Sequence, residues 1–228
     1  MTGIIAAMKA KTDLLERILT DAETEFISGI EFKSGYIQGQ KVVIAVCGVG
    51  KVFAAMCAQT MILKYSPDAI INTGVAGTLT DKLEIGSVCI ADNVVQHDMD
   101  TSPIGDPVGM LSGINITYIP CSEKIFGEIK RIADRMEISN IVGTIASGDQ
   151  FVASENIKKR IADNFSASAC DMEGAAIGQV CYINSVPFAV IRAISDGAND
   201  GSPIDYPTFT KHAAEISAKI VETYIAES

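Results

Sequence analysis

The most apolar run in the C-terminal half of the chain ends in a hydroxyl and a carboxylate. The run spans residues 187–194, is rich in Val, Ile and Ala, and is followed at once by Ser195 and Asp196. Such a run is typical of a strand buried on both faces, and ligands of open α/β sheets bind beyond the carboxyl ends of such strands. A carboxyl group in a partly buried cleft has a raised pKa and can donate a proton, so Asp196 is a candidate catalytic acid. Considered alone, this segment favours a simpler role, a cap on the Asp-Gly turn.

Four further segments place small or polar residues where predicted strands end or a helix begins. They are residues 6–8, 72–77, 146–151 and 170–176. Glycines in these segments let the backbone approach a ligand closely. Phe151 could stack on a flat ring, and Glu173 places a carboxylate in the first turn of a helix. Each feature alone fits an ordinary turn, core or capping residue, but five such segments in one α/β chain favour a ligand site.

Strand-like and helix-like stretches alternate along the chain and would bring these segments together. The predicted strands are 3–6, a hairpin over 29–48 with its turn at 38–40, 69–72, 87–95, 140–146 and 187–196. The predicted helices are 9–19, 53–65, 125–136, 172–182 and 210–225. Residues 99–113 are rich in Pro, Gly and Asp, which indicates a long loop of the kind that forms lids or binding segments. The alternation predicts a single-domain α/β/α sandwich over residues 1–228, with a mixed, largely buried central sheet.

The composition excludes several classes of function. The formal net charge of −10 argues against binding of a nucleic-acid backbone, which needs clustered Lys and Arg. No apolar stretch approaches the roughly 20 residues of a membrane span, and the first residues lack the features of a secretory signal. Six cysteines without a C-x-x-C pair, and only two histidines, give no metal-ligand spacing. We therefore expect a reduced, cytoplasmic protein with no metal, cofactor, nucleic-acid or membrane partner.

Seven short segments follow one another over essentially the whole chain in an order that is specific when they are taken together. They are GIIAAM (3–8), GVGKV (48–52), INTGVAG (71–77), HDMD (97–100), SGDQF (147–151), DME (171–173) and VIRAISD (190–196). Together they resemble the 5'-methylthioadenosine/S-adenosylhomocysteine nucleosidase family of the nucleoside phosphorylase superfamily. The second segment also resembles the end of a P-loop, but Val52 replaces the Ser or Thr that would hold Mg²⁺.

The resemblance implies a nucleoside-phosphorylase-like fold and cleavage of an N-glycosidic bond by water. The products would be adenine and a thio-substituted ribose, as in methionine salvage. By position, Asp196 would protonate N7 of adenine, and Glu173 would hold the ribose hydroxyls and stabilise the cationic, oxocarbenium-like sugar.

The resemblance also implies a set of substrate-binding residues and a partner. At the base, Phe151 would stack on adenine, the backbone of Val152 would form a hydrogen bond to the base edge, and Gly77 would lie at the purine end. Met172 would pack on the ribose, Met8 would lie near the thio-substituted end, and Tyr206 would close over that tail. The remaining residues of the set are Val75, Ala76, Arg192 and Ser195. The partner would be a second copy of the chain, with the 99–113 loop lent to the neighbouring site.

One position departs from the family pattern. The family usually follows its N-terminal Met with a run of glutamates, of which the third activates the attacking water, whereas this chain has Lys9-Ala10-Lys11. A protonated lysine has no acceptor lone pair, so Lys11 could act as a base only with a strongly depressed pKa. Loss of a general base typically costs about 10²–10⁴ in rate.

Substitutes for the missing base are few. Asp13 and Glu16 lie two and five residues further on, which points them elsewhere on a helix. Arg192 could orient the water instead. Val75 also stands where many relatives have Ser, which removes another polar group.

Two other functions remain open on these residues. A phosphorylase of the same fold needs a phosphate site, usually built from Arg and from helix or loop N–H groups. Arg17 is the only arginine before residue 131, but Lys11 could attract an anion. A slow or non-catalytic nucleoside-binding homologue would keep Asp196 and Glu173 without the base.

Overall fold

The computed structural model describes residues 1–9, 12–196 and 206–228, with backbone only for Asp196 and for 206–211. Its strands are β1 (Thr2–Ala6), β2 (Thr20–Ile27), β3 (Ile30–Ile37), β4 (Gln40–Val46), β5 (Ala69–Thr78), β6 (Val88–Gln96), β7 (Ile119–Pro120), β8 (Asn140–Ser147), β9 (Ala167–Asp171) and β10 (Phe188–Asp196). Its helices are α1 (Asp13–Arg17), α2 (Lys51–Tyr65), α3 (Glu123–Arg135), α4 (Glu155–Phe165), α5 (Gly174–Ile183) and α6 (Tyr206–Glu227).

The strands form one mixed sheet, and half of it closes on itself. Strands β2, β3, β4, β1 and β5 lie side by side, and β5 then pairs with both β9 and β10. Strands β6 and β8 complete a ring through β5, β10, β6, β8 and β9. Because β4, β1, β5 and β10 are mutually parallel, their carboxyl ends meet at one edge.

Helices cover both faces of this sheet, which confirms the predicted α/β/α sandwich. Neighbouring strand residues alternate between two buried clusters, as a period of two requires. Ile5 packs in the cluster that holds the buried faces of α2 and α5. Ile4 packs in the cluster that holds those of α1, α3 and α6. The central strands are therefore buried on both sides, and their carboxyl edge is where a cleft can open.

Local sequence signals located several boundaries correctly. The hairpin turn has Gln38 at φ 50° and Gly39 at φ 80°, the pair of positive angles that a tight two-residue turn needs. Helix α2 ends at Ser66, which takes the left-handed conformation before Pro67. Strand β10 ends at Asp196, as the apolar run predicts. Residues 99–113 form a long loop that contains a short 3₁₀ turn at Ser102–Ile104 and an isolated β-bridge from Leu111 to Ile116.

Other predictions of secondary structure were wrong or incomplete. Among the described residues of the helix expected over 9–19, the α-helix spans Asp13–Arg17. Leu15 is buried there, whereas Leu14 and Ile18 are 38% and 36% exposed. Strand β5 continues beyond residue 72 through its glycines, because β10 pairs with it over that whole stretch. The sequence reading missed β2, β7, α4 and β9. Strand β2 is polar and almost wholly exposed at the edge of the sheet, so it has no apolar alternation to reveal it.

Candidate functional site

A cavity of about 170 Å³ opens where the parallel strands end. The residues that line it are Ala7, Met8, Val49, Val75, Ala76, Gly77, Phe151, Cys170, Met172, Glu173 and Ser195. They come from six separate stretches of the chain. The lining is mostly apolar, with a carboxylate and a hydroxyl among the polar groups, which is the usual composition of a small-molecule site.

The register of the sheet brings the end of β10 to this cavity. Gly77 pairs with Cys170 of β9 on one side and with Asp196 of β10 on the other. Between Ile194 and Asp196 the pairing shifts by one residue, so Ser195 is the extra residue of a bulge. Bulges re-aim side chains at the ends of strands, and Ser195 lines the cavity. The backbone of Asp196 therefore lies beside a lining residue, while its side chain is outside the described part of the structure.

Glu173 is held at the start of α5. It is the residue that precedes the first helical residue, Gly174, and it is 6% exposed. Its Oε1 accepts a hydrogen bond of 3.0 Å from the backbone N–H of Gly50. The helix N-terminus and this amide both favour the ionised carboxylate. Among the side chains that the structure describes, Glu173 is the only carboxylate in the lining.

A buried polar network fixes the turn that carries Glu173. Asp171 accepts hydrogen bonds from the Ser147 hydroxyl and, at 3.0 Å, from the Gly174 N–H, and it forms an ion pair of 2.5 Å with Arg192. The Ser147 hydroxyl oxygen in turn accepts a 2.7 Å hydrogen bond from the Ala175 N–H. The Asp171 and Arg192 side chains are 1% and 2% exposed, so removing either would leave an uncompensated buried charge.

Most of the predicted site residues line the same cavity, namely Met8, Val75, Ala76, Gly77, Phe151, Met172, Glu173 and Ser195. Arg192 does not, because its guanidinium group is occupied by Asp171 and by the side chain and carbonyl of Asn72. The side chain of Val152 packs in a separate buried cluster, and its predicted role concerns its backbone. Lys11 and the side chain of Tyr206 lie outside the described residues, so their roles stay predictions.

Three lining residues lie in segments that the sequence singles out, but the sequence assigns them no individual role. Val49 lies between two glycines in the 48–52 segment. Ala7 immediately precedes Met8, and that adjacency was the available signal. Cys170 reaches the cavity because β9 pairs with Gly77, and β9 was not recognised as a strand.

In the glycine-rich loop 48–51, the N–H donors of Gly50 and Lys51 are bonded to carboxylates of this chain. The N–H of Gly50 donates to Glu173, and the N–H of Lys51 donates to Oδ1 of Asp149 at 2.7 Å. The Lys51 ammonium group donates to Oδ1 of Asp98 at 2.7 Å and to Oε1 of Gln96 at 3.1 Å. The resemblance of this loop to the end of a P-loop therefore has no counterpart in its hydrogen bonds.

Glu16 points away from the cavity, as its helical spacing predicts. Its carboxylate pairs with Lys33 of β3 at 2.5 Å and accepts a 2.7 Å hydrogen bond from the Thr12 hydroxyl. Burial raises the pKa of Glu16, but the hydrogen bonds from Lys33 and Thr12 and the nearby positive charges outweigh it, so the net shift is downward. Glu16 is thus committed to an ion pair between α1 and β3.

Three further features of the described residues bear on the kind of site. No group of three or more His, Cys, Asp or Glu side chains among them could hold a metal ion. All six cysteines are described and buried, and no disulfide joins them. None of the described helices is both long enough and apolar enough to cross a membrane.

The fold and the cavity define a class of protein. The family model of the phosphorylase superfamily matches residues 2–226. The 5'-methylthioadenosine/S-adenosylhomocysteine nucleosidase of Shewanella loihica is 39% identical over 96% of both chains. That of Shewanella putrefaciens is 40% identical over 96% of this chain and 95% of its own. This chain belongs to the 5'-methylthioadenosine/S-adenosylhomocysteine nucleosidase family.

Solved structures agree with this assignment. The crystal structure of the Neisseria meningitidis nucleosidase in complex with methylthio-immucillin-A has a TM-score of 0.95 at 31% identity, covering 100% of this chain and 99% of that one. The native structure of the futalosine hydrolase of Helicobacter pylori has a TM-score of 0.94 at 33% identity, covering 100% and 97%.

Proposed function

We propose that this protein hydrolyses the N-glycosidic bond of 5'-methylthioadenosine and S-adenosylhomocysteine, releasing adenine and a thio-substituted ribose. The observation that carries the proposal is the double pairing of Gly77, with Cys170 on one side and Asp196 on the other. It brings the strand end that bears Asp196 to the cavity that Glu173 and Phe151 line. Relatives whose sequences match 96% of this chain are named for this activity.

In the proposed reaction the bond between C1' of the ribose and N9 of adenine breaks first. Asp196 donates its proton to N7, and the electron pair of the broken bond stays on the purine, which leaves as neutral adenine. The sugar becomes oxocarbenium-like, and the negative charge of Glu173 stabilises it. Water then adds to C1' and releases one proton to the solvent. Asp196 takes one proton back from the solvent, so the proton that it gave to N7 is replaced.

The lining residues would hold the substrate around this bond. Phe151 is 62% exposed and lines the cavity, where its ring would stack on adenine. Met172 would lie against the ribose, Gly77 against the purine and Met8 near the sulfur-bearing tail. The other proposed contacts are the backbone of Val152, and Val75, Ala76, Ser195 and Tyr206.

The water step is where this chain departs from its family. Lys11 supplies no acceptor in its usual protonated form. Arg192 is engaged by Asp171 and Asn72, so a direct role in placing the water would require it to leave those partners. We therefore propose that the addition of water is slower here than in relatives with a carboxylate at this position, within the roughly 10²–10⁴ range of a lost general base.

Phosphorolysis is the weaker candidate. A phosphate site needs free cationic or N–H donors near the sugar. In loop 48–51, the Gly50 amide donates to Glu173, and the Lys51 amide donates to Asp149. The Lys51 ammonium group donates to Asp98. Arg192 is paired with Asp171.

We further propose that residues 1–228 form one domain that works as a homodimer in the cytoplasm, in methionine salvage. The first strand and the last helix belong to the same layered structure, since α6 packs on β5 and β10. Ile104 in the 99–113 loop is 82% exposed, and Val52, Phe53 and Leu63 of α2 are 78%, 52% and 75% exposed. A second copy of the chain would cover such apolar surface. Six buried cysteines without a disulfide fit a reducing compartment.

Product analysis tests the proposed reaction. The protein is incubated with methylthioadenosine with and without phosphate, and the products are separated by chromatography. We expect adenine and free methylthioribose in equal amounts under both conditions. A sugar 1-phosphate that forms only with phosphate would support phosphorolysis, and intact substrate would support a binding protein.

A further inference from the structure

Three loops meet at the rim of the cavity, and two of them contribute to its lining. Loop 48–51 carries Val49 and the amide that binds Glu173. Loop 148–151 carries Phe151. The third loop follows β6 and contains Asp98, which lies in a segment that the reaction described above does not use.

A closed set of hydrogen bonds ties these three loops together. Oδ1 of Asp98 accepts from the Lys51 ammonium group at 2.7 Å, and Oδ2 of Asp98 accepts from the Asp149 N–H at 2.9 Å. Oδ1 of Asp149 accepts from the Lys51 N–H at 2.7 Å. Each of the three residues is thus bonded to the other two. We call Lys51, Asp98 and Asp149 the clamp.

The clamp is continuous with both functional ends of the cavity. Gly50 precedes Lys51, and its N–H donates to Oε1 of Glu173 at 3.0 Å. Gly50 has φ 98°, and a Cβ atom placed on it would lie 3.0 Å from Oδ1 of Asp149. The peptide that binds Glu173 is therefore held close against Asp149. Two residues after Asp149, Phe151 lines the same cavity.

The negative charge of Asp98 stabilises the hydrogen bonds of the clamp at neutral pH. Burial raises the pKa of Asp98, but the hydrogen bonds from Lys51 and from the Asp149 amide outweigh it, so the pKa lies below its usual value. Asp98 is therefore ionised and can accept both bonds. The loops are also packed closely at Gly148, where an added Cβ atom would meet His97 Nε2 at 2.4 Å.

We propose that Asp98 and Asp149 are positioning residues that set the Gly50 amide on Glu173 and the Phe151 ring over the same cavity. Neither is a catalytic residue. The effect of Asp98 and Asp149 on turnover acts through Glu173 and Phe151, and this part of the proposal rests on the proposed function. The effect of the two residues on the Gly50 amide is independent of the proposed function.

Replacement of Asp149 tests this with a matched pair of variants. Asp149→Ala removes the acceptor for the Lys51 N–H, whereas Asp149→Asn keeps an oxygen in its place. Asp163→Ala removes an exposed carboxylate on α4 and serves as the control. Hydrogen exchange of the Gly50 amide is followed by NMR, and thermal melting confirms that each variant is folded. We expect exchange to be about tenfold faster in Asp149→Ala, the factor for one lost hydrogen bond, and near wild type in the other two variants.

Steady-state kinetics with methylthioadenosine give the second measurement. We expect kcat/KM to fall about threefold to tenfold in Asp149→Ala and to be largely restored in Asp149→Asn. In a Glu173→Gln background, Asp149→Ala should lower kcat/KM by a clearly smaller factor, because both changes disturb the contact between the Gly50 amide and residue 173. An unchanged exchange rate of the Gly50 amide in Asp149→Ala would overturn the proposal. So would a fall in kcat/KM of the double variant that equals the product of the falls in the two single variants. A wild-type protein without turnover would instead overturn the proposed function and leave the exchange result to decide the positioning role.

Discussion

Asp196 and Glu173 are the two carboxyl residues to which the proposed reaction gives separate roles. Glu173 lies at the N-terminus of α5 and accepts the Gly50 N–H, which favours its charged form. For Asp196 the structure describes the backbone, which ends β10 beside the cavity-lining Ser195. The proposed reaction assigns the acid role to Asp196 and the stabilisation of the cationic sugar to Glu173.

We predict that Asp196→Asn abolishes turnover while binding of methylthioadenosine largely survives. The amide can still bond the purine, but it cannot transfer an acidic proton to N7, which should cost about 10²–10⁴ in rate. Turnover and calorimetric affinity are measured on the same preparation. Wild-type turnover in this variant would remove Asp196 from the acid role.

We predict that Lys11→Glu raises hydrolytic turnover at saturating methylthioadenosine. The change supplies an acceptor where the family has one, and α1 begins two residues later, so the new charge lies near a favourable helix N-terminus. Rates are compared across pH with and without phosphate, and Lys9→Glu is the neighbouring control. An unchanged rate would show that position 11 does not limit the water step.

At the scale of the secondary-structure elements, the stability of α1 comes from a tertiary contact, because the helix is too short to be stable by itself. It has only five helical residues, too few for an isolated helix, and Glu16 joins it to Lys33 on β3. The pKa of Glu16 is lowered in the folded state. A lowered carboxyl pKa stabilises the fold above the unfolded-state value, and that contribution disappears as the pH falls through the folded-state value.

We predict that Glu16→Gln lowers the free energy of unfolding by about 1 kcal/mol at pH 7, in the range of a charged pair. The difference from wild type should shrink as the pH falls below the ordinary value of 4.5 and should vanish below the lowered pKa. Urea unfolding at a series of pH values measures it, and Asp163→Asn, in an exposed pair, is the control. A difference that is constant with pH would mean that packing, not charge, accounts for the loss.

The elements that the sequence revealed are those with strong local signals. Strand β10, the hairpin of β3 and β4, and helix α2 were predictable from apolar runs, turn residues and a helix stop. The clamp was not predictable, because Lys51, Asp98 and Asp149 are brought together only by the fold. The pairing of Arg192 with Asp171 was hidden for the same reason, and the sequence therefore left Arg192 as a candidate for placing water.

At the scale of the whole molecule, closure of the sheet accounts for the place of the cavity. Strand β5 pairs with both β9 and β10, so residues distant in sequence converge at Gly77. The alternation of strands and helices predicted the layers but not this ring, because pairing between β5 and β9 leaves no local trace. The 99–113 loop is anchored by Leu111 in the buried cluster that also holds α2 and α5, whereas residues 102–105 are exposed. This exposed part is the one that a second copy is proposed to use.

We predict that Ile104→Lys yields monomers and raises the KM for methylthioadenosine, because a charge would replace apolar surface proposed to enter the neighbouring site. Sedimentation velocity and steady-state kinetics are run on the same samples. Phe26→Lys alters another exposed apolar residue, on the edge strand β2, and is the control. A dimer with an unchanged KM would contradict the lent loop.

The most direct test of the account follows the oxygen that attacks the sugar. Methylthioadenosine is incubated with the wild-type protein in water enriched in ¹⁸O, with and without phosphate, and the sugar product is trapped rapidly and analysed by mass spectrometry. We predict methylthioribose that carries one ¹⁸O atom at C1', formed together with adenine at a rate independent of phosphate. A sugar phosphate without the label, or substrate that stays intact, would contradict it.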